Sequence, residues 1–345
     1  MKRVGYLYEK IFTRENLILA IDNACKNKKD RRAVKHILHH KEEIIAELQS
    51  NPNYVSSGKE VCVTDKSSKK VRNIVAPDML YLIKQHAILQ VIYPIITRGY
   101  YRHSYGAVRG KGILKASLYL RSVLRKYPKQ TRYSVIIDTR KYYDSVDIPT
   151  LKAMLTRYFK DKRVLKLLFD ILGDKEKGIP IGNYTSQIFA NVYFTPLDHY
   201  IKEILKVKFY LRQMDDMLII SGNRRELIRY RDKIIQYLKD NLKCEVHKDK
   251  LEVKDLYKGQ CIDFCGYKHY QFGKVAVRKR IFQRLRRTIF DISKCLFLKL
   301  ARRFMSYWGY VIHSHNHKLV GKYLPLINVS NIRQIISNSM KGATI

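Results

Sequence analysis

Helical and strand periods alternate along this chain and order its elements before any chemistry is considered. LYEKI is followed by TRENLILAIDNACKN, in which Leu17, Ile18, Ile21 and Ala24 fall at helical spacing. Thr13 stands where an N-cap belongs, and Glu15 lies in the first turn. The basic stretch KNKKDRR interrupts the pattern before a second helix predicted over 33–49. EVCVTD and KVRNIVAP alternate about Lys66-Ser67-Ser68-Lys69, which predicts a β-hairpin over 60–77. Helical spacing returns over 79–98. SYGAVRGKG (104–112) reads as a Gly-punctuated basic loop that opens another helix.

From residue 133 the pattern changes. YSVIID is a short buried strand that stops at a carboxylate, Asp138. DIPTLKAMLTRYF, VLKLLFDIL and TSQIFANVYFTPLDHYIKEIL are helical, and so is 224–242. FYLRQMDDMLII is two apolar runs about an acidic pair, which predicts a hairpin with Asp215 and Asp216 at its tip. Short strands are predicted around CEVHKDK and CIDFCGYKHY. In 274–303, Ile281, Leu285, Ile292, Leu296 and Phe304 just beyond it recur at helical intervals among eleven Lys/Arg and one Asp, a basic amphipathic helix or helix pair. The sum is an α+β chain. No internal repeat and no Gly/Ser-rich or Pro-rich linker divides it.

Composition narrows the class of partner. The chain has 345 residues, 68 Lys plus Arg and 30 Asp plus Glu, a formal net charge of +38. Such a charge repels itself unless an anion offsets it, and nucleic acid is the commonest anion of that scale. Small acidic metabolites do not need such a field. Hydrophobic residues make up 46%, which excludes a disordered basic tail. The 26 Tyr and 12 Phe supply both a core and surfaces on which bases can stack. The six cysteines form no CxxC pair, which argues against a zinc ribbon and for a reduced, cytoplasmic setting. The start, MKRVGYLYEKIF, lacks the apolar core of a signal peptide. The uncharged run from Gly178 to Leu197 holds two Pro and two Gly, so no membrane partner is expected.

The few acids are then the informative residues. Asp138 ends one apolar run, and Asp215 and Asp216 interrupt another. In the plain structural reading they are turn residues or ion-pair partners. The chemical reading is that two such strands, side by side, gather three carboxylates, whose mutual repulsion a divalent cation would relieve. Magnesium prefers carboxylate oxygens together with substrate phosphates. Two such ions clamp the attacking and leaving oxygens of an in-line phosphoryl transfer.

Further motifs favour the second reading, because together they resemble a bacterial retroelement reverse transcriptase from about Leu7 to about Lys318. VIIDTRKYYDSVD (135–147) resembles the first palm motif. By that resemblance Asp138 is a metal ligand, and Tyr143 is the aromatic gate beneath the incoming sugar, favouring deoxynucleotides. GIPIGNYTSQIFANVY (178–193) resembles the second palm motif, with Gly182 allowing close approach to the nascent base pair, Ile181 beside the template base and Gln187 at the nucleotide. RQMDDML (212–218) resembles the third, with Asp215 as second metal ligand and Asp216 as an additional acid. Gln213 stands there where Tyr is usual, a departure that changes the packing the resemblance implies beneath the primer terminus. Around Lys248 and Lys250 the chain resembles the fourth motif, whose lysine assists the pyrophosphate leaving group. FCGY (264–267), with Phe264 and Gly266, resembles the turn that grips the primer 3′ end.

The resemblance extends to the flanks. KKVRNIVAP and IKQHAI resemble the fingers, with Lys70 and Arg72 on the triphosphate. SYGAVRGKG places Arg109 near the template or the nucleotide. The basic helices from 278, carrying Arg284 and Arg287, and SYWGYVIHSHNHKL resemble the thumb. His313, His315 and His317 alternate, but no Cys or acid cluster supports a metal there. The implied fold is a right-hand polymerase: an N-terminal helical extension at 1–55, fingers at 56–130, a palm with an antiparallel sheet at 131–270, with a fingers-side insertion near 150–180, and a helical thumb with a C-terminal segment at 271–345.

The implied activity is RNA-directed DNA polymerisation with two Mg²⁺, with Mn²⁺ as a substitute. The partners would be template RNA, a cDNA or primer strand, and dNTPs. GNYTSQ and the N-terminal stretch are most like the enzymes of diversity-generating retroelements, which implies a small basic accessory protein. An antiphage, abortive-infection reverse transcriptase and a non-catalytic RNA-binding protein on a polymerase fold are the alternatives. A bacterial or phage origin with cytoplasmic location is the corresponding expectation.

Overall fold

The computed structural model describes residues 2–26, 28, 31–56, 58–64, 71–316 and 321–341. The chain forms two compact units, each assembled from separated stretches: 1–102, 139–204 and 234–246 in one, and 103–138, 205–233 and 247–345 in the other.

The first unit is mostly helical. It opens with α1 (Tyr8–Ile11), α2 (Arg14–Cys25), α3 (Arg32–His39) and α4 (Lys41–Ser50). Thr13 caps α2 as its position predicts, accepting from the Asn16 N–H. The antiparallel hairpin β1 (Lys59–Thr64) and β2 (Val71–Ala76) follows, and its turn lies outside the described residues. Helix α5 (Met79–Ile96) is capped by Asp78 and packs on α2. With the turn after it, α5 is long and apolar enough by composition to cross a membrane. Within this unit it buries Ile83, Ala87, Ile88 and Ile92, and fully buried Lys84 donates to the Tyr54 carbonyl at 2.7 Å.

Beyond Asp138 the same unit continues with α7 (Tyr142–Ser145), α8 (Ile148–Thr156), α9 (Lys162–Leu172) and α10 (Ser186–His199). Asp147 and Asp161 cap α8 and α9. The predicted continuous helix through 205 instead widens after His199 into a π turn over Tyr200–Ile204. Pro196 lies just upstream, and a proline's missing N–H interrupts the regular hydrogen-bond ladder.

The second unit carries the other two sheets, flanked by α6 (Ile113–Lys126). One sheet has the order β4-β5-β3-β6, from β3 (Tyr133–Asp138), β4 (Phe209–Gln213), β5 (Asp216–Ser221) and β6 (Lys254–Asp255); the other is β7 (Ile262–Phe264), β8 (Tyr267–His269) and β9 (Val275–Val277). All their pairings are antiparallel. Leu120, Val123 and Leu124 of α6 share a core with Leu211, Leu218, Ile220 and Phe264 of the strands.

Helix α11 (Arg224–Leu242) follows β5. CEVHKDK forms no strand: it makes one bridge at Val246 and a 3-10 turn over Lys248–Lys250, so the alternating residues there reflect a loop rather than a ladder. The basic stretch becomes β9 and two helices, α12 (Lys279–Lys294) and α13 (Leu298–Val311), joined by α14 (Val329–Lys341). Leu285, Ile289 and Ile292 meet Leu300, Phe304 and Ile332 in a second core, so the apolar stripe faces inward and the cations face out.

Candidate active site

The acidic residues are set by strand register. β3 pairs with β5 so that Asp138 lies directly opposite Asp216, and β4 pairs with β5 so that Gln213 also lies opposite Asp216. The hairpin tip is therefore Met214-Asp215, and Asp216 is already the first residue of β5. Residues directly opposite in an antiparallel pair point to the same face, which sets two carboxylates side by side. The Asp216 carboxyl is pushed up to about 7, first by burial and then by the charges of Asp215 and Asp138, while Lys250 and Arg278 pull it back. Lys250 is ion-paired with Asp138, whose side chain is 13% exposed. Burial works to lower the Lys250 ammonium, and the Asp138 carboxylate outweighs it, so the net effect is upward.

Sequence reading missed the residues that hold this tip. Met214 takes a left-handed φ of +56°. Its carbonyl accepts from the guanidinium of Arg212, a fully buried arginine, at 3.0 Å. The Arg212 N–H donates to the His103 carbonyl, and the Tyr105 N–H donates to the Arg212 carbonyl. A Cβ on Gly106 would fall 2.4 Å from the Met214 nitrogen, so only glycine fits beneath the tip. The signal was available in principle: an arginine inside the apolar run FYLRQ requires a buried acceptor. Gln213, in the place of the usual tyrosine, leaves its buried Oε1 without a hydrogen-bond partner.

In the same unit Cys265 (φ +55°) and Gly266 (φ +83°) form the tight turn between β7 and β8, and a Cβ on Gly266 would meet the Tyr310 ring at 2.8 Å. Phe264 is 2% exposed and belongs to the core, so its ring cannot offer the predicted primer contact and any such contact falls to the turn's backbone. The Cys265 thiol is pushed up to about 12 by burial and by Asp216, which marks an inert thiol. Arg284 and Arg287 lie on α12, half-buried and exposed respectively, and Arg109 is exposed in the 104–112 loop. His315 is engaged by the backbone of Val275, and His317 lies outside the described residues.

In the first unit, Tyr143, Ile181, Gly182 and Gln187 line a single cavity of about 600 Å³. Lys28 and Arg31, beyond α2, line it as well, and neither was predicted from sequence. The His86 and Tyr184 rings stack on its wall at 4.1 Å. Gly182 has φ +124°, and a Cβ there would sit 2.1 Å from the Val75 carbonyl oxygen; the Val75 N–H donates to the Ile181 carbonyl at 2.8 Å. The close approach that demands glycine is thus to strand β2. Lys70 lies outside the described residues, as does the side chain of Arg72.

The donor set suits a hard divalent cation in type and charge. It consists of carboxylate oxygens, and at Asp216 burial first, then the neighbouring charges of Asp215 and Asp138, push the carboxyl up. Among the described residues no three His, Cys, Asp or Glu side chains already form a metal shell.

The antiparallel sheets with their flanking helices have counterparts in solved structures. Apo telomerase from Candida tropicalis is 14% identical, with TM-score 0.55, and the match covers 88% of this chain and 63% of that one. Telomerase from Candida albicans in complex with the TWJ fragment of telomeric RNA is 13% identical, with TM-score 0.51, covering 88% and 65%. This chain thus spans about two thirds or less of those proteins. No curated protein sequence matches it. The fold is that of the right-hand polymerases. Residues 63–269, more than half of the chain, match the reverse transcriptase (RNA-dependent DNA polymerase) family model, and the chain belongs to that family. Members of that family generally use divalent metal ions.

Proposed function

We propose that the protein copies a template RNA into cDNA, with Asp138, Asp215 and Asp216 as its catalytic centre. The observation that carries this reading is the register that sets Asp138 opposite Asp216, one residue from Asp215 at the tip. A binding module on this fold gains nothing from carboxylates that repel a phosphate backbone. The acids would hold magnesium, which when bound neutralises phosphate charge and makes the primer 3′-hydroxyl a better nucleophile. Lys250, held protonated beside Asp138, is placed to offset charge on the departing pyrophosphate. Tyr143 and Ile181 would meet the incoming nucleotide and the template base from the cavity they share, and Arg284 and Arg287 would grip the backbone of the duplex. No protein nucleophile is needed, since catalysis here is positioning and charge neutralisation.

Within that activity we favour a diversity-generating retroelement, because of GNYTSQ, with a template RNA and a small basic accessory protein as partners in a bacterial or phage-infected cytoplasm. Sequencing the RNA that co-purifies with the protein tests the subtype: a template-repeat RNA is expected, and RNA from a defence locus would overturn it. For the activity, Asp215→Ala/Asp216→Ala should abolish dNTP incorporation on a primed RNA while RNA affinity stays within about threefold. Unchanged incorporation would refute the assignment of the acids.

A further inference from the structure

The second unit displays an aromatic side chain that neither its core nor the reaction centre uses. Phe272 lies in the turn between β8 and β9 and is 69% exposed. Its backbone is left-handed, with φ +59° and ψ 17°. Single exposed apolar residues are ordinary on a protein surface, but a bulky one in that conformation is strained. The residues on both sides are pinned, so the turn cannot relax. Buried Gln271 donates to the Pro128 carbonyl at 2.8 Å, and the Tyr270 N–H donates to the Lys274 carbonyl at 2.8 Å. A Cβ on Gly273 would fall 3.0 Å from the Arg121 carbonyl oxygen of α6. Ser117 of α6 and His269 share a buried hydrogen bond of 2.9 Å. Strain held this firmly persists where a side chain is needed at that spot.

The surroundings are cationic. Arg121 and Arg125 of α6 border the turn, Lys274 closes it, and Lys129 follows the anchoring Pro128. Arg125, Lys129 and Lys274 are exposed and, among the described residues, have no ion-pair partner. Neither 103–137 nor 264–290, the stretches that build this surface, contains an Asp or Glu. Asp255 and Asp263 on neighbouring strands are already paired, with Arg132 and Arg278. The turn lies at the opposite end of β8 from the Cys265–Gly266 turn, so it is no part of the predicted primer contact. Tyr6 of the first unit is also exposed and left-handed (φ +57°), but there the Asp161 carboxylate fixes the turn by accepting from the Leu7 and Tyr8 N–H groups.

We infer that this surface is a second binding site for single-stranded RNA, with an unstacked base against Phe272 and flanking phosphates on Arg125, Lys129 and Lys274. An aromatic platform beside cations suits a flexible strand, since every base offers a π-face and every linkage a charge. A duplex keeps its bases stacked inside and offers no such face. A protein partner fits less well. On α6 and the turn the exposed large apolar side chains are Leu118 and Phe272, too little for the apolar centre of a protein interface. RNA rather than DNA follows from the template proposed above, whereas the surface itself does not rest on that reading.

The test uses the full chain with excess unlabelled primer–template duplex present. A short unstructured RNA carrying 5-iodouridine is cross-linked, and the adduct is mapped by mass spectrometry. The adduct should fall on the peptide that contains Phe272 and survive the duplex; one that the duplex abolishes would overturn the inference. Fluorescence anisotropy with the same RNA compares the wild type with Phe272→Gly, Phe272→Trp and Arg125→Ser/Lys274→Ser. Phe272→Gly should bind ~10-fold more weakly, the order expected for one lost base stack. Its melting temperature should hold or rise, because glycine relieves the backbone. Phe272→Trp should stay within about twofold of wild type, and the double variant should lower the log–log salt slope by about one. Tyr6→Gly serves as the control, and a loss there equal to that of Phe272→Gly counts against the site. Polyglutamate that competes as well as the RNA would reassign the surface to an acidic protein segment, and a DNA strand of the same sequence that outcompetes the RNA would overturn the choice of RNA. Primer extension is recorded on the wild type. Normal extension without Phe272-dependent RNA affinity sinks this inference alone, and that affinity without extension sinks the polymerase reading alone.

Discussion

At the scale of single residues, Asp216 shows how burial and like charge act together. Its carboxyl titrates near 7 in the fold and near 3.8 when exposed, so the folded state holds the proton more tightly than the unfolded chain does. The native state is therefore penalised as pH rises from about 4 through about 7, and the penalty is complete above that. Without divalent metal, Asp216→Asn should raise the melting temperature at pH 8 by at least ~2 °C. The gain should shrink as pH falls and vanish only well below 3.8, where the wild-type carboxyl is neutral in both states. Differential scanning fluorimetry across that range checks it, and a gain that is independent of pH would mean that the charge is not the cause. Lys250 belongs to the same scale. Sequence alone left it as one of two candidate lysines, and the ion pair with Asp138 singles it out because it joins residues 112 apart in the chain.

At the scale of elements, the hairpin tip depends on a loop that precedes it by about a hundred residues. Ser104 bridges Arg212, and Gly106 lies beneath Met214 with no room for a methyl group. Gly106→Ala should cost about 1–3 kcal/mol, the usual range for overpacking, and should reduce polymerisation far more than RNA binding by shifting Asp215. Gly309→Ala on α13 meets nothing within 4 Å and serves as the control, with stability unchanged or slightly raised. Urea unfolding and primer extension on both variants would settle it, and a Gly106→Ala protein of wild-type activity would show that the contact is dispensable. The SYG motif was visible in the sequence, but its partner was not, because tight packing between a loop and a turn leaves no periodic trace.

At the scale of the whole molecule, the excess of 38 positive charges is a statement about phosphate. RNA affinity should fall steeply between ~50 and ~200 mM salt. Arg284→Ala/Arg287→Ala on the outward side of α12 should lower the log–log salt slope by about one to two. Fluorescence anisotropy at several salt concentrations measures it, and an unchanged slope would remove those arginines from the nucleic-acid interface.

The sequence by itself determined the alternation of helices and strands, the basic character, the carboxylates at strand ends and the family to which those motifs belong. These follow from local period and residue type, which survive without coordinates. Only tertiary structure decided that Asp138 faces Asp216, that Lys250 pairs with Asp138, that Gly182 makes room for β2, that Phe264 turns into the core, and that the Phe272 turn is pinned to α6. Each of these depends on register or on contact between distant segments, where the energy lies in the fit of two surfaces and neither stretch of sequence records the other.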